Sequence, residues 1–483
     1  MNNVKRNFIY SSIYQIYAII VPIITTPYLS RVLGAEGVGQ YAYAYSISYY
    51  FSLFVILGLM TYGNRAIAIV RDDRKRLSVV FWNIYFAQIF FGVIISILYF
   101  VFLLYYDGSN RINIIMYGVI FSECFNITWL LYGMEEFRTT TVRDIIIKIF
   151  SIILIFFCVK KSGDVWKYAL IRSAGYVVSQ LSLWPIALKR IPFVKPSIVE
   201  IKSHIKPNLV LFIPTIAVSI YKTMDKIMLG AMSGELEVGL YESSEKIIQV
   251  PMALIIALGT VMMPHMSNLL SNNELSSNKG IEIIRSSEHF MIAISSGIGF
   301  GIMALAKDFV PLFYGEGYEK CVALFYILLP SCVFLAFANV IRTQFLIPRK
   351  CDKKFIISLF VGAIVNLCIN FLLISSMKSI GVAIGTLCAE MSVCIVQILF
   401  VCREIPIIDI AVECSGYIFI SILMFLSSRR ICINVQNDIF CLILKIFICG
   451  TIWLVGVSIY VWILKKFLCK NIVTIDVPWG ETR

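Results

Sequence analysis

The stretch that decides the fold, Arg31–Ser46, reads RVLGAEGVGQYAYAYS, and a similar phrase, KIMLGAMSGELEVGLYESS, follows over Lys226–Ser244. Each phrase contains a cation, then Leu-Gly-Ala, a short Gly-rich or acidic break, and Val-Gly-x-Tyr at the start of a new apolar run. Glycine accommodates tight turns because it has no Cβ, so each phrase predicts a helix, a turn and a second helix. From Leu to Tyr the first copy advances 8 positions and the second advances 12. The phrases therefore predict a weak internal repeat.

The composition around these phrases is that of a membrane protein. The chain has 483 residues, of which 59% are hydrophobic and only 15% charged, and its mean hydropathy is +0.84. A soluble domain carries roughly a quarter charged residues, and a helix needs about 20 mostly apolar residues to cross a bilayer. Apolar runs give about fourteen candidate spans, from residues 8–30 to residues 440–464. The sequence thus predicts an all-α polytopic membrane protein.

The positive charges indicate the topology. The net charge is +13, but the Lys and Arg residues fall in short runs between apolar spans and not on a folded domain, which argues against nucleic-acid binding. When alternate loops are assigned to the two sides, one side collects most of the cations. The positive-inside rule makes that side cytoplasmic, so both termini are predicted to lie in the cytoplasm.

The longest segment between spans, KRIPFVKPSIVEIKSHIKP at residues 189–207, is basic and rich in proline. It is predicted to be a cytoplasmic linker between a six-helix lobe at 1–188 and a parallel six-helix lobe at 208–403, with two further helices and a cytoplasmic tail at 404–483. The repeated turns then fall at the same place in each lobe. Parallel repeats of this kind occur in secondary transporters that have a central substrate path.

Charges inside membrane spans are costly and usually face a cavity or a partner. Lys222, Asp225 and Lys226 are spaced to share one face of span seven, and Glu242, Glu245 and Lys246 open span eight, again on one face. The first group predicts either a cationic wall for an anion or a self-neutralising cluster near the helix end, and the sequence leaves both open.

Single charges stand in four other spans. Arg172 and Arg342 have no obvious partner in their own helices, and a guanidinium binds phosphate or carboxylate through two hydrogen bonds. Glu123 and Glu390 lie near mid-membrane, where each could relay a coupling proton or neutralise Arg172 or Arg342. These two interpretations carry equal weight.

Metal binding is not predicted. The histidines at positions 204, 265 and 289 are scattered near helix ends, and the 14 cysteines form no Cys-x-x-Cys motif. Cys432 and Cys441 flank one loop and are a candidate pair.

Several segments resemble a known family. YLSRVLGAEGVGQY after the first span, KTMDKIMLGAMSGELEVGLYESSEKI across spans seven and eight, and GAIVNLCINFLLI followed by SIGVAIGTLCAE are similar to the Wzx-type polysaccharide-repeat-unit flippases. This polysaccharide transporter family belongs to the MOP superfamily, which also holds multidrug exporters and lipid II flippases. At VMMPHMSNLL, similar proteins often have Arg after the Pro, whereas this chain has His265.

The resemblance implies two six-helix bundles in a V around a cationic lumen in a bacterial cytoplasmic membrane. It implies that the chain moves an undecaprenyl-diphosphate-linked oligosaccharide from the inner to the outer leaflet by alternating access, for O-antigen or capsule synthesis. Membrane lipids and a polysaccharide polymerase with its chain-length machinery are the implied partners, and no cofactor is implied beyond a coupling H+ or Na+. The implied functional residues are Arg31, Lys222, Asp225, Lys226 and Lys246.

Two other functions are considered. An exporter of cationic drugs would need an acidic lumen, which the excess of cations among the candidates opposes, and an exporter of another lipid-linked precursor remains open. A membrane glycosyltransferase or polymerase would need a sizeable exposed loop with catalytic residues, whereas the longest outer loops have only about 15 residues. The sequence therefore favours a flippase over an enzyme.

Overall fold

The computed structural model describes residues 3–106, 111–271, 278–430 and 438–468, and within these ranges the chain is helical and contains no strand. The helices are α1 (Asn3–Ile56), α2 (Leu59–Val70), α3 (Arg74–Tyr105), α4 (Arg111–Cys124), α5 (Thr128–Gly133), α6 (Phe137–Cys158), α7 (Val165–Leu181), α8 (Trp184–Arg190), α9 (Ile198–Ser219), α10 (Asp225–Ser233), α11 (Glu235–Ser271), α12 (Asn278–Tyr314), α13 (Lys320–Leu328), α14 (Ser331–Ile341), α15 (Asp352–Met377), α16 (Ser379–Val401), α17 (Ile407–Ser428) and α18 (Asp438–Leu468).

The predicted all-α membrane fold is confirmed. Within the described ranges, 9 helical stretches are long and apolar enough to cross a membrane, and the first, Ile20–Val70, includes part of the first predicted span and all of the second. The predicted spans outside these stretches lie in α6, α7, α9 with α10, and α11. Three of these four segments carry candidate site residues.

The chain divides into two compact units, Met1–Glu242 and Ser243–Arg483. In the first unit, an apolar core forms where α2, α3, α5 and α8 meet around the fully buried Trp129. In the second unit, α15 packs along α16, and α12 packs against α13, α14, α17 and α18. The predicted lobe boundaries at residues 188, 208 and 403 follow the repeat in the sequence and not this division into compact units. They stay a prediction.

The two repeated turns have the same backbone geometry. α1 breaks at Gly34, with φ 70° and ψ 173°, and α10 is separated from α11 by Gly234, with φ 88° and ψ 171°. These positive φ values suit glycine. The expected difference in turn length is wrong, because Leu229-Gly230-Ala231 lies inside α10 and the turn glycine of the second copy is Gly234. The copies therefore match at a constant offset, from Gly34 and Tyr41 to Gly234 and Tyr241.

These matching turns pack directly against each other. A Cβ atom added to Gly39 would lie 1.7 Å from the carbonyl oxygen of Glu235, and one added to Gly239 would lie 1.8 Å from that of Ala35. Gly39 thus packs against Glu235, four positions before Gly239, and Gly239 packs against Ala35, four positions before Gly39. The two contacts are symmetric. Small residues allow helix backbones to approach this closely, so the Val-Gly-x-Tyr motif is repeated because both copies form one contact.

Candidate functional site

The best-defined polar site of the first unit is built around Arg172 on α7. Its Nη2 donates to the Tyr176 hydroxyl at 3.0 Å, and its Nε makes a longer contact of 3.4 Å with the Tyr41 hydroxyl. Among the described residues, no carboxylate forms an ion pair with its half-buried guanidinium. A phenol hydroxyl leaves the positive charge in place, so Arg172 is a fixed cation available to an anion.

Tyrosines extend from this arginine along one face of α1. Tyr41, Tyr45 and Tyr49 are spaced four residues apart, and neighbouring ring centroids are 5.9 and 6.0 Å apart. Tyr168 and Tyr176 of α7 pack beside them, at 4.5 Å from Tyr41 and 6.1 Å from Tyr45. We call these five residues the tyrosine row. The tyrosine row was not predicted from the sequence, although the i, i+4, i+8 spacing in QYAYAYSISYY is a visible signal.

Glu123 lies near the other end of the tyrosine row, where its carboxylate interacts electrostatically with Tyr49. It stands at the end of α4, immediately before a break in the helix. Gln88 holds the break by donating to the backbone oxygens of Glu123 and Asn126 at 2.6 and 3.0 Å. The Asn126 side chain then donates to the Glu123 carboxylate at 2.7 Å. The tyrosine row thus lies between a fixed cation and a positioned carboxyl group.

The charges of α10 are held by α11. Lys226 Nζ lies 2.6 Å from a carboxylate oxygen of Glu242, and both side chains are largely buried. Tyr241 donates its hydroxyl to the buried Asp225 at 3.1 Å. Because Glu242 belongs to the neighbouring helix, the charge of Lys226 is compensated across two helices. The side chain of Lys222 lies outside the described part of the chain.

A second candidate cation, Arg342, lies in the second unit. Its guanidinium donates to the Asn339 side chain and lies 5.7 Å from the ring centroid of Phe355. The Asn339 amide in turn donates to the Ile255 backbone oxygen at 2.9 Å. A π-helical turn begins at Arg342, and a second one, Ile220–Met224, contains the backbone of Lys222. Such turns occur frequently at functional sites.

The remaining predicted residues are less informative. Arg31 is exposed on α1, Glu245 and Lys246 are half-buried on α11, and Glu390 is buried on α16. The His265 side chain and Cys432 are outside the described residues. Among the residues that the structure describes, no group of three or more metal-ligating side chains is present.

Comparison with known proteins identifies relatives of this chain. Residues 4–270 match the model of a family described as polysaccharide biosynthesis protein. A protein of Escherichia coli (strain K12) named "Putative O-antigen transporter" is 26% identical over 83% of this chain and 97% of its own length. A protein of the same name from Shigella dysenteriae is 25% identical over 76% of this chain and 92% of its own length.

Two solved structures show the fold. The lipid II flippase MurJ in an inward closed conformation superimposes with a TM-score of 0.74 at 15% identity, over 96% of this chain and all of that chain. A multidrug resistance MATE family transporter of the MOP superfamily in an inward-facing conformation gives a TM-score of 0.60 at 15% identity, over 82% and 98%. The relatives carry the names of transporters and not of enzymes, as predicted. The family model matches more than half of this chain, which shows that the chain belongs to the polysaccharide biosynthesis protein family.

Proposed function

We propose that this protein is a flippase that moves undecaprenyl-diphosphate-linked oligosaccharide repeat units from the inner to the outer leaflet of a bacterial cytoplasmic membrane. The observation that carries the proposal is the Arg172 site. A guanidinium held by tyrosine hydroxyls, without a neutralising carboxylate among the described residues, is suited to the diphosphate of a lipid headgroup.

The tyrosine row suits the sugar part of such a substrate. Phenol rings offer flat apolar faces to sugar rings, and their hydroxyl groups donate and accept hydrogen bonds. A cationic drug would gain nothing from a fixed guanidinium, because like charges repel each other. Tyr41 and Tyr168 are buried in the apolar core, so the half-buried Tyr45, Tyr49 and Tyr176 are the rings available to sugars. Their combination with Arg172 favours an anionic, sugar-bearing substrate.

The remaining features of the mechanism follow from this substrate. A diphosphate with attached sugars cannot enter hydrocarbon without a large desolvation penalty, so the protein supplies a polar path while the prenyl chain stays in lipid. We propose alternating access, with both termini in the cytoplasm as the distribution of cations predicts. Lys246 and Arg342 would contribute further positive charge along the path, whereas the charge of Lys226 is compensated by Glu242.

Reconstitution into vesicles tests the proposal. Purified protein would be incorporated into liposomes with a fluorescent undecaprenyl-diphosphate oligosaccharide, and a membrane-impermeant sugar-modifying enzyme would report the fraction facing outward. A hydrogen bond to a charged group contributes about 1.5–3 kcal/mol. We therefore expect Arg172→Ala to slow translocation about 10- to 100-fold, and Arg172→Lys to recover part of the rate.

Lys167→Ala is the matched control. Lys167 lies on the same helix but is paired with Asp164 at 2.7 Å, and we expect this variant to translocate at the wild-type rate. Wild-type protein that leaves the oligosaccharide in its original leaflet would contradict the proposed function. Normal translocation by Arg172→Ala would remove the diphosphate role of Arg172.

A further inference from the structure

The second unit contains a buried carboxyl group that has no hydrogen-bond partner within the described ranges. Glu288 on α12 is completely buried, and neither of its oxygens has a hydrogen-bond partner among the residues that the structure describes. Burying an isolated carboxylate is very costly, so such a group is kept neutral by a proton or compensated by a bound cation. The position of Glu288, ten residues after the start of α12, puts it about 15 Å into that helix.

A hydrogen-bonded cluster lies next to Glu288. His289 Nδ1 is 3.1 Å from the Tyr417 hydroxyl, and His289 Nε2 is 3.3 Å from a carboxylate oxygen of Glu413. Arg285 Nη1 is 3.6 Å from the other oxygen of Glu413. The Cys414 thiol lies within electrostatic range of Glu288, Glu413 and Arg285, which places all of these groups in one region between α12 and α17.

The charges of this region do not balance. Arg285 compensates Glu413, and His289 is uncharged unless it takes up a proton. Neither group compensates Glu288, and a bound proton makes this carboxyl group neutral. The ionisable groups of this region are Arg285 and His289 on α12, Cys394 on α16 with Glu390 beside it, Glu413, Cys414 and Tyr417 on α17, and Tyr460 and Lys465 on α18.

The cluster has a route to its surroundings. A cavity of about 520 Å³ lies between α12, α17 and α18 and is lined by His289, Tyr417, Ser458 and Lys465 together with apolar residues. His289 thus has one face on the cavity and a ring nitrogen near Glu413. Imidazole and phenol groups both accept and donate protons, so they form a path along which a proton can approach the buried region.

We propose that Glu288 is the proton-binding site that couples transport to the proton gradient, with His289, Glu413 and Tyr417 as the groups through which the proton enters. This inference rests on the proposed flippase function. A proton fits better than sodium because the groups within electrostatic range of Glu288 include the thiols of Cys394 and Cys414, whereas hard cations prefer several oxygen ligands. With its proton, Glu288 is compatible with the closed packing of α12 on α17. Loss of the proton favours opening of that packing, because the charge then requires water.

Two measurements on the full-length protein separate this inference from the proposed function. The first is infrared difference spectroscopy during a pH titration of the reconstituted protein without substrate. We expect a carbonyl stretching band from a protonated carboxyl group that is present in the wild type and absent in Glu288→Gln. The control is Glu282→Gln, which changes an exposed carboxyl group on the same helix and is expected to keep the band.

The second measurement is translocation in the vesicle assay under an imposed pH difference. For one coupled proton, the ratio of the two leaflet populations changes about tenfold per pH unit. We expect this dependence in the wild type and in Glu282→Gln, and translocation without pH dependence in Glu288→Gln.

Persistence of both the band and the pH dependence in Glu288→Gln would overturn the proposal. A dependence on the sodium gradient that replaces the pH dependence would also overturn it. If the wild-type protein moves no oligosaccharide, the proposed function fails, while the infrared titration still decides whether Glu288 binds a proton.

Discussion

The contact between the repeated turns makes a sharp prediction for Gly39→Ala and Gly239→Ala. The added Cβ would lie 1.7 Å from the Glu235 oxygen in one variant and 1.8 Å from the Ala35 oxygen in the other, whereas real Cβ atoms are essentially never found below 3.0 Å. The two backbones must then separate by about 1.3 Å, since a backbone carbonyl within a helix cannot rotate away as a side chain can.

The magnitude follows from the cost of overpacking, which is about 1–3 kcal/mol for added methylene groups. We expect the upper end of this range because backbone atoms are involved. A penalty of about 3 kcal/mol lowers the population of the closed contact about 150-fold relative to the separated state. Each variant should therefore lose most of the contact, and the double variant should lose no more than either single variant.

A photo-crosslinking amino acid at the exposed position 236 provides the assay. In the wild type it should crosslink to the α1 segment around Ala35, and the product is identified by mass spectrometry. Gly163→Ala is the control, because a Cβ there meets no atom within 4 Å. Unchanged crosslinking in Gly39→Ala and Gly239→Ala, together with an unchanged translocation rate, would refute the close backbone contact.

Three further predictions concern other contacts. Lys226→Glu places a second carboxylate against Glu242 at a largely buried position and should destabilise the protein by about 3 kcal/mol. Adding Glu242→Lys should restore most of the melting temperature in detergent, and no recovery would argue against the pair. Tyr45→Leu should weaken binding of the lipid-linked oligosaccharide up to about tenfold through loss of ring contacts. Binding of sugar-free undecaprenyl diphosphate, measured by competition, should not change. Equal losses of affinity for the two ligands would contradict a sugar-binding role. Hydrogen bonding to Lys167 and to backbone amides lowers the pKa of Asp164 from its ordinary 3.8 to about 2. The stabilisation of its loop is therefore complete above about pH 4 and is lost as the pH falls towards 2. Amide exchange at Lys160 that does not accelerate as the pH falls over this range would contradict this prediction.

The membrane fold could be predicted from the sequence because hydropathy and charge act over whole spans. A membrane helix leaves a run of about 20 apolar residues, and the helices follow these runs even where Arg172 or Lys226 lowers their hydropathy. The repeat was visible for a similar reason, since a turn with positive φ calls for glycine. The predicted alignment of the two copies was wrong because Leu-Gly-Ala inside α10 resembles the real turn. Only the backbone geometry at Gly234 identifies that turn.

The candidate site was predicted less completely. Arg172 stood out as an uncompensated charge within its own helix, but its partner Tyr41 is 131 residues away, and contacts between helices leave no local signal. The local signals of this site are the i, i+4 spacing of Arg172 and Tyr176 and the tyrosine spacing on α1.

Glu288 was missed for another reason. Glu288 and His289 lie close to the start of a predicted span, where charges ordinarily reach the membrane surface. Only the packing of α17 on α12 shows that both are buried.

The measurement that tests the central claim most directly is the leaflet distribution of undecaprenyl-diphosphate-linked oligosaccharides in cells that lack this protein. Membrane vesicles of both orientations would be treated with an impermeant sugar-modifying reagent, and the modified lipids would be identified by mass spectrometry. The flippase account predicts complete repeat units that accumulate with their sugars on the cytoplasmic face, and restoration by wild-type protein but not by Arg172→Ala. Complete single units on the outer face that remain unpolymerised would contradict it and would assign the protein to polymerisation.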